Sequence, residues 1–179
     1  MHTVILFGSK NERQTGERLC GAFEKNGGVY FIKDNLLMLG GGAPSFLLCE
    51  YESLPETSVK QGIVIFKNEI SKYSRIDIPS GFTAVVDSEN APALSLLKQR
   101  KIQTVTCGMS SHDTLSISSV KEDRAAVSLQ RAIVRLDGSE MEACEIPMKF
   151  EAFPGDYALL CCCAALILTG TDTRPGLSI

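Results

Sequence analysis

Five short runs without a single charged residue constrain this chain more than any other feature: 3–7 (TVILF), 46–49 (FLLC), 63–66 (IVIF), 83–86 (TAVV) and 104–107 (TVTC). Each is rich in branched side chains and is followed at once by Gly, Glu, Lys-Asn, Asp-Ser or Gly. A strand with one face in water alternates apolar and polar residues. A run without alternation is covered on both faces, which is the pattern of a parallel sheet held between layers of helices. The intervening sequence supplies such helices. In 14–25, Leu19, Ala22 and Phe23 form one apolar stripe, and Asn26-Gly27-Gly28 is a stop signal. A second helix is predicted over 88–100, with Ser88 as its cap and Ala93, Leu94, Leu96 and Leu97 as its apolar residues. Strand, helix and strand at this spacing make a βαβ unit.

Two regions depart from that pattern. Residues 29–39 (VYFIKDNLLML) read as a hairpin with Asp34-Asn35 at the turn, where positive φ is tolerated. Segments 114–120, 125–136 and 141–148 read as three antiparallel strands, with turns at 121–124 and at Asp137-Gly138-Ser139. The apolar stretch 157–168 closes the chain as a buried helix; about a dozen residues are too few to span a bilayer. The predicted fold class is therefore α/β: a mostly parallel sheet flanked by helices, with a small antiparallel sheet near the C-terminus. One domain fills 1–179, with a parallel core over 1–110, antiparallel strands over 111–150, and a closing helix and tail over 151–179.

Charge narrows the partners. At 179 residues the chain carries a net charge of −3, and its one basic cluster, Lys98-Gln99-Arg100-Lys101, reads as a solvated helix end. Nucleic acid and anionic membrane surfaces demand clustered Lys and Arg, so neither is expected as a partner. The seven cysteines are odd in number, and three of them, Cys161, Cys162 and Cys163, are consecutive. Adjacent helical positions point in different directions, which makes a poor metal site, so no metal is expected. MHTVILFGSK lacks the basic leader and cleavage pattern of a signal peptide. Reduced, buried thiols in a cytoplasmic protein are the expectation.

Chemistry is sought first in the loop after the opening strand. Gly8-Ser9-Lys10-Asn11-Glu12-Arg13-Gln14-Thr15-Gly16 joins a strand to a helix, the setting in which free backbone N–H groups bind phosphate. It lacks the order G-x-x-x-x-G-K-[ST], which places a Lys on the phosphates and a hydroxyl on magnesium. An ordinary βα turn is the simpler reading, with phosphate binding as the alternative. Ser110-Ser111-His112-Asp113 brings together a hydroxyl, an imidazole and an acid, yet triad members converge from separate elements, so a polar loop is expected there. His2 is expected to be a solvated terminal residue, and Cys49, beside Glu50, a core thiol.

The order of these segments resembles the central, ATP-binding domain of the Mur ligase family. ILFGSKNERQTGERLCGAF is similar to that family's strand, G-T-N-G-K-T-[TS] loop and helix; Gly8-Ser9 match, while Glu12 stands where the nucleotide-gripping Lys would be. Phe46-Leu47-Leu48-Cys49-Glu50-Tyr51-Glu52-Ser53 resembles the strand ending in E-x-S-S, and Glu50 matches the acid that serves magnesium. Residues 62–68 resemble the strand ending in T-N, but the D-H-L motif that should follow is absent. Residues 82–91 (FTAVVDSENA) are similar to the strand ending in N-x-D-D, with Asp87-Ser88-Glu89 altered in chemistry. Thr104-Val105-Thr106-Cys107-Gly108 resembles the T-[YF]-G segment. Pro154-Gly155 match the start of P-G-x-H-N, where Tyr157 and Ala158 replace His and Asn.

The resemblance implies a ligase that phosphorylates a carboxylate with ATP before an amine attacks. A transferring phosphoryl group needs positioned cations, and the departures remove them. The chain is also too short for the family's separate substrate-binding and C-terminal domains. The expectation is a Mur-ligase-like domain without the catalytic motifs: a binding or partner protein, alone or as a homo-oligomer, linked to peptidoglycan-precursor metabolism. No cofactor is expected. The alternative is a small ATP- and magnesium-dependent amide-forming ligase or phosphotransferase. Its atypical phosphate loop would be built from Gly8, Ser9, Lys10, Arg13, Thr15 and Gly16, with Glu50 beside it and Lys10 or Arg13 replacing the missing Lys.

Overall fold

In the computed structural model, which describes residues 1–34, 36–54, 56–69 and 77–179, all five apolar runs become strands of one sheet. In chain order the elements are β1 (His2–Phe7), α1 (Gln14–Lys25), β2 (Val29–Lys33), β3 (Leu36–Gly40), β4 (Phe46–Tyr51), β5 (Gly62–Phe66), β6 (Phe82–Asp87) and α2 (Ala91–Arg100). They continue as β7 (Thr104–Cys107), β8 (Leu115–Val120), β9 (Arg124–Leu129), β10 (Ile133–Val134), β11 (Glu140–Met141), β12 (Cys144–Lys149), α3 (Asp156–Leu168) and β13 (Leu177–Ser178). Eleven strands form the main sheet in the order β13-β12-β9-β8-β7-β6-β5-β1-β4-β2-β3. Every pairing from β2 through β8 is parallel.

The absence of alternation in the runs follows from this geometry. Along β1, Val4 and Leu6 face a core shared with α1 and α3, whereas Ile5 and Phe7 face a second core shared with α2. All four are buried. Successive side chains on a strand point to opposite faces, so a strand covered on both sides must be apolar throughout. Helix α1 covers one face and stacks Phe23 on Phe46 of β4, ring centroids 4.3 Å apart and nearly parallel. It stops as its sequence predicts: Gly28, at φ +75°, turns the chain so that its N–H reaches Phe23 O at 2.9 Å.

Helix α3 is apolar all round because it is buried all round; its residues from Ala158 to Leu168 are inaccessible or nearly so. Cys161, Cys162 and Cys163 lie within it as free thiols, and burial drives all three well above the ordinary thiol range. Among the described residues no helix is long and apolar enough to cross a membrane.

Several expectations are corrected. The antiparallel strands are not a separate small sheet: β8, β9 and β12 extend the main one, because β8 pairs with β7 at Cys107–Leu115. The separate sheet is the short pair β10–β11. The long second strand predicted over 125–136 ends at Leu129, where the chain turns before β10. Arg124, assigned to a turn, opens β9. The C-terminal tail adds β13, parallel to β12. The cap of α2 is Asn90 rather than Ser88: Asn90 Oδ1 accepts from Ala93 N at 3.2 Å, and Pro92 suits the first turn. The hairpin β2–β3 forms with Asp34 at φ 51°, while Asn35 lies outside the described residues. His2 is half-buried at the start of β1, its ring beside Phe46, and burial lowers its pKa.

Thiol reactivity tests this packing. Cys144 is exposed and the other six cysteines are buried. In the native protein an aromatic disulfide reagent is expected to titrate Cys144 rapidly and the remaining thiols only on unfolding. Rapid reaction of the 161–163 thiols under native conditions would contradict the placement of α3.

Candidate functional site

Strand β1 is flanked by β4 on one side and β5 on the other, so the C-terminal ends of three parallel strands converge. The helix that follows β1 lies over one face and α2 over the other. A change of helix side at the C-terminal edge of a parallel sheet opens the crevice in which α/β proteins bind ligands. The loop 8–13 leaves β1 there, Glu50 ends on β4 there, and Lys67 follows β5 there.

The loop that sequence singled out is closed on itself. Gly8 N donates to Tyr51 O at 3.1 Å, and Ser9 N to Glu69 O at 2.9 Å. Lys10 N donates to Glu52 Oε1 at 3.1 Å, Asn11 N to Ser9 Oγ at 3.2 Å, and Thr15 N to Glu12 Oε1 at 3.0 Å. Five of the N–H groups along 8–16, those of Gly8, Ser9, Lys10, Asn11 and Thr15, thus have protein acceptors. At the first turn of α1 the anion is the chain's own Glu12 carboxylate, placed where a helix N-terminus attracts negative charge.

The loop's carbonyls, by contrast, point inward at a cation. Lys67 has a fully inaccessible side chain, and its Nζ donates to Ser9 O at 2.9 Å, to Glu12 O, and to Glu50 Oε1 at 2.7 Å. Glu12 Oε2 lies 3.8 Å from the same ammonium. Glu50 is equally buried, and Lys33 Nζ sits 2.9 Å from its Oε2 as an ion pair without hydrogen-bond alignment. A buried charge is tolerated when paired and hydrogen-bonded, and both conditions hold for this ammonium. Gly8 makes the approach possible. Its φ of +146° disfavours a side chain, and a Cβ there would lie 2.5 Å from Lys67 Cβ.

The remaining candidates occupy other positions. Lys10 Nζ turns outward to Asp34 at 2.6 Å and Glu52 at 3.9 Å and is about half exposed. Arg13 lines a groove with Glu17, Lys33 and Glu50 between α1 and the β2–β3 hairpin. Thr15 and Gly16 are buried in the first turn of α1, and a Cβ on Gly16 would stand 3.3 Å from Glu50 Oε2. Ser9 accepts through Oγ and takes part through its carbonyl. The 110–113 segment is a loop: Asp113 Oδ2 accepts from Ser110 N at 2.9 Å, and His112 N donates to Ser110 Oγ. Cys49 is buried with its pKa raised by burial.

Sequence reasoning missed Lys67. Its signal was a lone Lys directly after an uncharged strand, at the end of the sheet where ligands bind. Lys67 and Lys33 lie against Glu50, the carboxylate that the resemblance assigns to magnesium, and Glu12 accepts from Thr15 N at the start of α1. Among the described residues no cluster of three or more His, Cys, Asp or Glu is arranged to hold a metal ion.

The architecture is similar to that of several solved ligases and synthetases. The chain superposes on UDP-N-acetylmuramate:L-alanyl-gamma-D-glutamyl-meso-diaminopimelate ligase from Neisseria meningitides with a TM-score of 0.63 and 12% identity, over 98% of this chain and 64% of that one. Folylpolyglutamate synthetase from Lactobacillus casei gives 0.58 and 10%, over 97% and 60%. MurF ligase from Thermotoga maritima, in complex with ADP, gives 0.51 and 14%, over 99% and 48%. The chain thus has the fold shared by Mur ligases and folylpolyglutamate synthetase, and spans less than two thirds of each of these proteins. The sequence itself matches no protein-family model and no curated protein.

The internal ion pair can be tested through stability. Lys67→Met leaves Glu50 buried without its closest cation and is expected to cost roughly 3–5 kcal/mol in urea unfolding. Adding Glu50→Gln should recover part of that loss. A single variant as stable as the parent would show that the ammonium is not held as described.

Proposed function

We propose that this chain is a Mur-ligase-like domain that does not catalyse ligation and acts as a binding or partner protein in the cytoplasm, in peptidoglycan-precursor metabolism. The observation that carries the reading is the self-occupied switch-point site, in which Lys67 sits beside Glu50 and Glu12 caps the helix that would receive phosphate. Phosphoryl transfer depends on cations placed around the moving group. Here the inward cation is engaged by three oxygens, and the N–H groups of Gly8, Ser9, Lys10, Asn11 and Thr15 are bonded within the protein. The two cations that an ATP-using alternative requires are directed elsewhere, Lys10 to Asp34 and Arg13 to the groove. Support for the cell-wall setting is the fold shared with the Neisseria and Thermotoga ligases.

Each charge-assisted contact missing from a bound phosphate is worth on the order of 1.5–3 kcal/mol, or about ten- to a hundredfold in affinity. Calorimetry with ATP and magnesium is therefore expected to show no saturable binding, and phosphate release should stay at background. A micromolar, magnesium-dependent affinity that disappears in Lys10→Ala would overturn the reading in favour of a ligase or phosphotransferase.

A further inference from the structure

The two edges of the main sheet are finished differently. At one edge β13 pairs with Met148 and Lys149 alone, and the rest of β12 carries Glu145 and Pro147, residues that blunt an edge. The other edge is β3, where Leu36, Leu37, Met38 and Leu39 are 55%, 65%, 43% and 65% exposed. The devices that blunt a natural edge are absent from this strand: it holds no Lys, Glu or Pro, and its register with β2 runs without a bulge over all five residues. Apolar side chains stand out on both faces, Leu36 and Met38 toward α1, Leu37 and Leu39 away from it. On the α1 side the strand continues into a groove of about 480 Å³ that includes Phe31 and Cys20.

We propose that β3 is a homodimer interface, on which a second copy of this chain adds its own β3 antiparallel and joins the two sheets into one. The exposed features select that occupant. Apolar surface on both faces, with an open row of main-chain donors and acceptors between them, is matched by another strand and not by a helix or a flat surface. The strand is also complementary to itself. A two-fold axis perpendicular to the sheet keeps each face with its like, so pairing about Met38 sets Met38 against Met38 and Leu37 against Leu39. No charge is brought into the pairing, and eight large apolar side chains leave water together.

Sedimentation velocity over a concentration series tests this directly. The parent chain is expected to shift from monomer to dimer as concentration rises, and Leu37→Lys with Leu39→Lys to remain monomeric with an unchanged circular dichroism spectrum. In a Cys144→Ser background, Met38→Cys should cross-link to itself under mild oxidation. That readout decides the matter if the double lysine variant does not fold. A parent that stays monomeric throughout, a dimer that survives both lysines, or a dimer whose Met38→Cys variant fails to cross-link would each overturn the proposal.

Discussion

The Lys67 ammonium and the oxygens around it organise the whole C-terminal edge of the sheet. A charge with no access to water must find its solvation within the protein, and this one finds it in Glu50 and in two carbonyls of the loop after β1. Because the partners lie on β4 and in the loop after β1, and Lys67 itself follows β5, one cation ties together the ends of three strands. The loop turns the carbonyls of Ser9 and Glu12 inward to reach it, while the N–H groups of Gly8, Ser9 and Lys10 face acceptors at and just past the end of β4 and beyond β5. Gly8 is required at the point of closest approach. Two carbonyls of the loop are thus aimed at a cation, and a single side chain accounts for it.

Around that edge the rest of the fold is built from apolar layers. The sheet presents one face to α1 and α3 and the other to α2, and its central strands carry branched side chains on both. Helix α3 lies inside its layer, and a run of Cys and Ala gives it a narrow, apolar surface. Small side chains let a helix approach closely, and a buried thiol serves as a small hydrophobe. Burial raises the pKa of these thiols, since the low-dielectric interior disfavours the thiolate, and the same effect is the reason for expecting them to be unreactive. Tyr157 completes the link between layers by donating its hydroxyl to Phe66 O on β5.

Fold and site carry different information about function. The shared architecture with Mur ligases and folylpolyglutamate synthetase says how the strands are ordered and where a crevice opens. What that crevice can hold is decided by Glu12, Glu50, Lys33 and Lys67, whose charges are spent on one another. The groove beside it, a smaller cavity lined by Glu12, Gln14, Thr15 and Asn68, and the apolar β3 edge are open. Charges paired with one another at the centre and an apolar edge left open are the physical ground for the proposed reading of the chain as a partner.

Local sequence determined much of this protein by itself. The five uncharged runs specify two-sided burial, and the Asn26-Gly27-Gly28 stop specifies the end of α1, because each depends on neighbours within a few residues. Tertiary structure alone decided the rest. Lys67 lies 17 residues from Glu50 and 55 from Glu12, and nothing local indicates that strand order will bring them together. The joining of β8, β9 and β12 to the main sheet, and of β13 to its edge, likewise depends on which strand ends meet in space. A charge pairs with whatever the fold places within a few ångströms of it, so the chemistry of this site follows strand order rather than any local motif.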